Sequence, residues 1–291
     1  ASKGSGGSGG GLPIPGGLSG LGGGAGLIVV IVVIAINVLG GSGGGAGFDL
    51  GNAGSIFGTG TGAPGADDPA PIDPAQDPQK DLKDFSTYVF VDAQRTWEGT
   101  FASAGDRYAP AQLVLYADRV STEGCGGASS AVGPFYCPAD RRVYLDLTFF
   151  EDMERQLGAG GDFAYAYVIA HEMGHHIQTI TGTSAEVDRL AQDDPDRANE
   201  LSVRQELQAD CYAGVWAATV FAEGDLEAGD LDEAVGAAEA VGDDRLQQQA
   251  GQRVNPDLFT HGTSEQRRRW FEAGYSNGDP SACDTFSVDE V

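Results

Sequence analysis

Beyond residue 79 the chain carries apolar residues at helical spacing in one segment after another, and strand-like runs are confined to the first third of that region. An amphipathic helix is predicted from Asp81 to about Ala102, and short strands at Leu113 to Tyr116 and Val143 to Leu147. Further helices are predicted at roughly 149–157, 161–180, 184–193, 196–222, 230–241 and 263–275. Few, early strands followed by helices indicate an α+β domain that is mainly helical with a small N-terminal sheet.

The pattern before residue 79 is different. Leu27 to Leu39 is apolar except for Asn37, and Leu18, Leu21 and Ala25 lengthen the window to about 22 residues, enough to span a bilayer. Polar, Gly-rich chain on both sides offers nothing for a buried core helix to pack against. A cleaved signal peptide would want a basic start, and Lys3 is the only cation before the apolar run. The expectation is an uncleaved single-pass anchor with its N-terminus inside, since no Lys or Arg follows until Lys80. The stretch to about Gln79 is Gly-rich and then Pro/Asp-rich, the composition of a tether rather than a core. The predicted organisation is a Gly-rich segment 1–24, an anchor 25–40, a linker 41–78 and one globular domain 79–291, without internal repeats.

Composition then removes whole classes of partner. The net charge is -26, from 43 acidic and 17 basic residues, so the clustered cations that nucleic acid requires are missing. The four cysteines, Cys125, Cys137, Cys211 and Cys283, include no C-x-x-C pair. An even count in a domain outside the membrane suggests two disulfides. Three pairings are open, and Cys125 with Cys137 and Cys211 with Cys283 is the preferred one, against a reading as free buried thiols.

Three of the four histidines stand in one hexapeptide, His171-Glu-Met-Gly-His-His176, inside a predicted helix. His171 and His175, four residues apart, share a face, so both rings can reach one ion. Glu172 lies about 100° round the helix, beside that ion, where it can take a proton from water. His176 points off this face and is expected to pack or to support. Downstream, Glu206 and Asp210 stand one turn apart in a second helical stretch rich in apolar residues. Glu206 suits a third metal ligand and Asp210 an acceptor for a ligand histidine's free N–H. Their alternative is a solvated acidic pair, which the apolar neighbours Leu207, Ala209, Tyr212 and Trp216 make costly. His261 precedes a helix that Thr263 or Ser264 can cap, and it could, with Arg267, steady an oxyanion; the alternative is a packing histidine with solvated arginines.

The strings Gly133-Pro-Phe-Tyr-Cys-Pro-Ala-Asp140, Val143-Tyr-Leu-Asp-Leu147, His171-Glu-Met-Gly-His-His176, Leu207-Gln-Ala-Asp-Cys211, Gly242-Asp-Asp-Arg-Leu246 and His261-Gly-Thr-Ser-Glu-Gln266 resemble the putative neutral zinc metallopeptidase family of bacteria. The resemblance covers essentially the whole chain and implies a zincin-like domain holding Zn2+. By similarity to the wider gluzincin group (HExxH…ExxxD), it implies His171, His175 and Glu206 as zinc ligands, Glu172 as general base and Asp210 as their support. The Thr-His-x5-Arg pattern at His261 and Arg267 is similar to one in the membrane-linked M48 peptidases, with Gly262 where those carry Pro.

The expected function is a membrane-anchored endopeptidase acting on protein or peptide, its catalytic domain outside the cytoplasm. The rivals are a non-catalytic zinc-binding envelope scaffold and a zinc hydrolase of a non-peptide amide. An inactivated scaffold would be expected to lose Glu172 first, and the chain keeps it.

Overall fold

Helix α1 (Lys80–Ala104) buries Val89, Phe90, Ala93 and Trp97 along one side and stops at Gly105, whose φ of 82° gives the left-handed C-cap that glycine adopts without a Cβ clash. The structure, a computed structural model, describes residues 77–117, 119–129 and 133–291. The segments 1–24 and 25–40, and the linker as far as residue 76, lie outside the described residues. Among the described residues no helix is long and apolar enough to cross a membrane.

Five short strands follow among the described residues: β1 (Gln112–Tyr116), β2 (Arg119–Ser121), β3 (Gly127–Ser129), β4 (Phe135–Cys137) and β5 (Arg142–Asp146). A mixed sheet has the order β1-β5-β4, with β1 parallel to β5 from the Gln112–Arg142 pair onward and β4 antiparallel to β5. Strands β2 and β3 form a separate antiparallel hairpin. A disulfide from Cys125 in that hairpin's loop to Cys137 fastens it to β4, with a Cα separation of 6.0 Å.

The rest is helical: α2 (Phe149–Asp152), α3 (Asp162–Thr181), α4 (Thr183–Asp193), α5 (Ala198–Glu223), α6 (Asp230–Ala240), α7 (Asp243–Gln249) and α8 (Ser264–Asn277). The architecture is thus α+β, mainly helical with a small sheet. The segment predicted as one helix over 149–157 divides into α2 and a π-turn at Met153–Leu157, ended by Gly158 at φ 66°. Strands β2, β3 and β4 and helix α7 escape the sequence pattern because three strand residues show no alternation and α7 (DDRLQQQ) carries no apolar stripe.

Helix α3 is the centre of the packing, touching α1, α5, α6 and β4. It is buried nearly all round from Phe163 to Gln178, as a central helix must be. Helices α5 and α8 are the most closely associated pair, and glycine is the reason. A Cβ added to Gly214 would lie 2.0 Å from Phe271 O, and one on Gly274 1.9 Å from Cys211 O, so the two backbones touch. The Cys211–Cys283 disulfide closes the same contact from the C-terminal side, at a Cα separation of 5.5 Å.

The Gly274→Ala change is expected to destabilise the fold by about 2–3 kcal/mol in urea unfolding, the cost of overpacking against backbone that cannot move. Gly99→Ala in α1, where an added Cβ meets nothing within 4 Å, should instead gain up to about 1 kcal/mol. Equal effects from the two would show that α5 and α8 are not in backbone contact.

Candidate metal centre

His171, Glu172 and His175 lie on α3 and Glu206 and Asp210 on α5, and all five are buried. The crossing that joins them passes through Gly174. A Cβ there would sit 2.9 Å from Ala209 Cα and 3.0 Å from Ala209 O, so only glycine lets α5 approach the histidine face this closely. Gly174, a weak interruption in the helical pattern, is therefore the contact point that forms the site.

His171 Nε2 lies 3.2 Å from Glu206 Oε2, and His175 Nε2 lies 3.6 Å from Glu206 Oε1. Tetrahedral zinc with bonds of about 2.0–2.1 Å sets its ligand atoms roughly 3.3 Å apart, so the spacing fits. The chemistry fits as well: His175 Nε2, Glu206 Oε1 and both oxygens of Glu172 are buried without a hydrogen-bond partner, a cost that a cation among them would remove. Asp162, Asp230 and Glu233 also bring carboxylates together, but they are exposed or half-buried and include no histidine.

Behind His171 stands a closed network. His171 Nδ1 donates to Asp210 Oδ1 at 2.8 Å, and the Tyr167 hydroxyl donates to the same oxygen at 2.5 Å. Arg267, from α8, donates from Nε to Asp210 Oδ2 at 2.8 Å and from Nη2 to Asp210 Oδ1 at 2.9 Å. It also meets the Tyr167 hydroxyl at 3.2 Å, the Val241 carbonyl at 3.4 Å, His171 Nδ1 at 3.4 Å and Glu206 Oε2 at 4.0 Å, and it is 1 % exposed. Arg267 thus makes its shortest bonds to Asp210 and also lies against His171 and Glu206. On the other ligand, His175 Nδ1 faces Gln178 Oε1 at 2.8 Å. His176 leaves the ligand face as expected. Its Nε2 donates to the Ala109 carbonyl at 2.7 Å, so Nδ1 accepts from the Tyr136 hydroxyl at 3.1 Å, tying α3 to β4.

His261 stands before α8, where Thr263 caps the helix in a full capping box with Gln266. Asp243 organises this turn: its Oδ2 accepts the backbone N–H groups of Thr260, His261 and Gly262 at 2.7, 2.7 and 3.1 Å, and its Oδ1 faces His261 Nδ1 at 3.2 Å. Burial disfavours a proton on the His261 ring, but the Asp243 carboxylate and the charge of Glu206 outweigh it and raise the ring's proton affinity.

The electrostatics show a site short of positive charge. Burial pushes the Glu172 carboxyl up to about 7, and Glu206 adds to the rise against His171. Burial would also raise Glu206, but His175 and His171 outweigh it and hold it low. Burial would raise Asp210 too, and the Arg267 guanidinium and His171 keep it well below the usual carboxylate range. Burial lowers His175 to about 4, whereas at His171 the Asp210 carboxylate outweighs burial and lifts the ring to about 9. Three carboxyl groups thus share Arg267 and the His171 ring, and a divalent ion beside Glu172 would draw its carboxyl back down.

Three supporting residues escape the sequence pattern. Tyr167 and Gln178 stand four before His171 and three after His175, spacings that put each on its partner's helix face, so the signal was present. Asp243, 18 residues from His261, is joined to it only by folding.

The Gly174→Ala change should push α5 away from α3 and lower zinc affinity by at least about tenfold, as losses around a metal site commonly do. Competition against a chelator, on protein verified as folded by circular dichroism, checks this. Unchanged affinity would mean that the close crossing does not form the site.

The geometry can be set beside known proteins. The family described as "Putative neutral zinc metallopeptidase" matches residues 1–286. The uncharacterized protein YpfJ of Escherichia coli (strain K12) is 52% identical over 203 residues, 69% of this chain and 70% of that protein. The uncharacterized protein Rv2575 of Mycobacterium tuberculosis (strain ATCC 25618 / H37Rv) is 47% identical over 195 residues, 63% of this chain and 65% of that protein. No solved structure is a significant match. A zinc peptidase family implies Zn2+ as the cofactor and protein or peptide as the substrate, and His171, His175 and Glu206 could bind such an ion. With a match that spans nearly its whole length and a buried histidine–carboxylate cluster suited to zinc, this chain belongs to the putative neutral zinc metallopeptidase family.

Proposed function

We propose that the chain is a gluzincin-type, zincin-like endopeptidase in which His171, His175 and Glu206 hold zinc and Glu172 is the general base. The observation that carries this reading is Glu172 itself: a carboxyl group buried beside the ligand cluster, with neither oxygen in a hydrogen bond of regular geometry and only the Tyr136 backbone N–H acting on it as a donor. A structural carboxylate at that depth would be partnered. Zinc supplies Lewis acidity that acidifies water and polarises a carbonyl. Glu172 takes the proton of the attacking water at a carboxylate oxygen and delivers it to the leaving amine nitrogen. His261, oriented by Asp243, steadies the oxyanion of the attacked carbonyl. Arg267, expected from the sequence to share that oxyanion, turns its donors to Asp210, Tyr167 and Val241 and lies against His171 and Glu206; its part is to hold Asp210 and the ligand side chains beside it.

The same reading sets the domain outside the cytoplasm on a single-pass anchor at residues 25–40. Its support is the apolar run Leu27–Leu39 and the two disulfides, which persist in oxidising compartments. Thiol labelling of the chain as taken from cells should find no reactive cysteine before reduction, and four labelled cysteines would overturn the location.

Glu172→Gln is expected to keep zinc and lose about 10²–10⁴-fold in cleavage of a peptide library. A wild type without zinc, or a variant that cleaves normally, contradicts the mechanism. Zinc-loaded wild type that cleaves cell-wall fragments but not peptides would favour the non-peptide amide reading, and one that cleaves neither would favour a scaffold.

A further inference from the structure

The two histidines of the cluster are supported by different chemistry. His171 has the Asp210 carboxylate, whereas His175 has a neutral amide, Gln178, whose two side-chain atoms are told apart by their surroundings. One lies 2.7 Å from the Gln205 backbone carbonyl, which only accepts, so that atom is Nε2 and donates. The other is then Oε1, an acceptor, 2.8 Å from His175 Nδ1, so Nδ1 carries the ring proton. The lone pair is left on His175 Nε2, the atom that faces Glu206 without a hydrogen-bond partner.

The next link obeys the same logic. Gln208 Nε2 donates to the Cys283 carbonyl at 3.0 Å, which turns Gln208 Oε1 toward Gln178 Nε2 at 3.1 Å. Gln178 and Gln208 are both buried. The Cys283 carbonyl is itself fixed, by the disulfide to Cys211 and by Arg204, which donates to the Thr285 carbonyl at 2.5 Å and the Val288 carbonyl at 2.9 Å. A flipped Gln178 would set its oxygen against the Gln205 carbonyl and offer His175 Nδ1 a donor. That would favour the ring tautomer whose Nε2 carries a proton and cannot bind a metal.

We propose that Gln178 is the positioning residue of His175, and that Gln208, anchored on the Cys283 carbonyl, locks it in the orientation that turns the His175 Nε2 lone pair to the zinc. The proposal rests on reading His171, His175 and Glu206 as the zinc ligands. Two backbone carbonyls, from α5 and from the disulfide-tied C-terminal segment, thereby select the tautomer of a ligand they never touch.

The test uses the full chain with Gln178→Leu, Gln208→Leu and the double variant. Zinc affinity is read by chelator competition, and ligand geometry by the visible absorption of the cobalt-substituted protein. Gln178→Leu should bind zinc roughly 10- to 100-fold more weakly and shift the cobalt bands. Gln208→Leu should show a smaller loss, and the double variant should match Gln178→Leu, because Gln208 acts through Gln178. A folded Gln178→Leu with wild-type affinity and spectrum overturns the proposal, as do losses that add in the double variant. Should Gln178→Leu fail to fold, imidazole nitrogen spectra of the wild type decide. A proton on His175 Nδ1 with zinc bound supports the proposal, and one on Nε2 overturns it. Wild type that binds no zinc overturns the ligand reading and this inference together, whereas zinc-binding wild type with an unchanged Gln178→Leu overturns this inference alone.

Discussion

The backbone contact of α3 with α5 at Gly174 and Ala209 is the constraint on which the site depends. Glu206 and Asp210 flank Ala209 on α5, and His171 and His175 flank Gly174 on α3, so the closest point of the crossing is also the centre of the cluster. Any side chain at Gly174 widens the gap, and ligand atoms 3.2 and 3.6 Å apart have little room for that. Because the crossing is buried, each charge in it must be answered by another. Removing one partner of a buried ion pair costs about 3–5 kcal/mol, which makes Asp210 and Arg267 as much a folding element as a support for His171.

A second close crossing serves the first. Gly214 and Gly274 bring α8 into backbone contact with α5, and α8 carries Arg267 to Asp210. The loop before α8 carries His261, held by Asp243 at the start of α7. Past α8, the Cys211–Cys283 disulfide returns the chain to α5 and sets the carbonyl that ends the chain of amides from His175. The charged support of His171 thus comes from one face of α5 and the neutral support of His175 from its contact with the C-terminal segment.

The long elements were legible because each has a buried face with helical period: α1, α3, α5 and α8 fall within two residues of their predicted limits. Of the three pairings the sequence left open, the preferred one, with Cys125 closing a short loop to Cys137 and Cys211 tying down Cys283, is the one formed. His171, His175 and Glu206 were legible because ligand chemistry needs those residue types at helical spacing, and the structure brings all three together. What stayed hidden depends on contacts between distant segments. Nothing local marks Gly174, Gly214 and Gly274 as crossing points rather than weak helix positions, and the pairing of Asp243 with His261 exists only in the fold. Arg267 was legible as a site residue, but its link to Asp210 was not, since α8 meets α5 only after folding.

The most direct test of the zinc centre is a crystal structure of the wild-type chain with anomalous diffraction recorded on both sides of the zinc edge. One zinc is expected, bonded to Nε2 of His171, Nε2 of His175 and a carboxylate oxygen of Glu206, at about 2.0–2.2 Å. An empty cluster in zinc-saturated protein, or zinc held at Asp162, Asp230 and Glu233 instead, would contradict it.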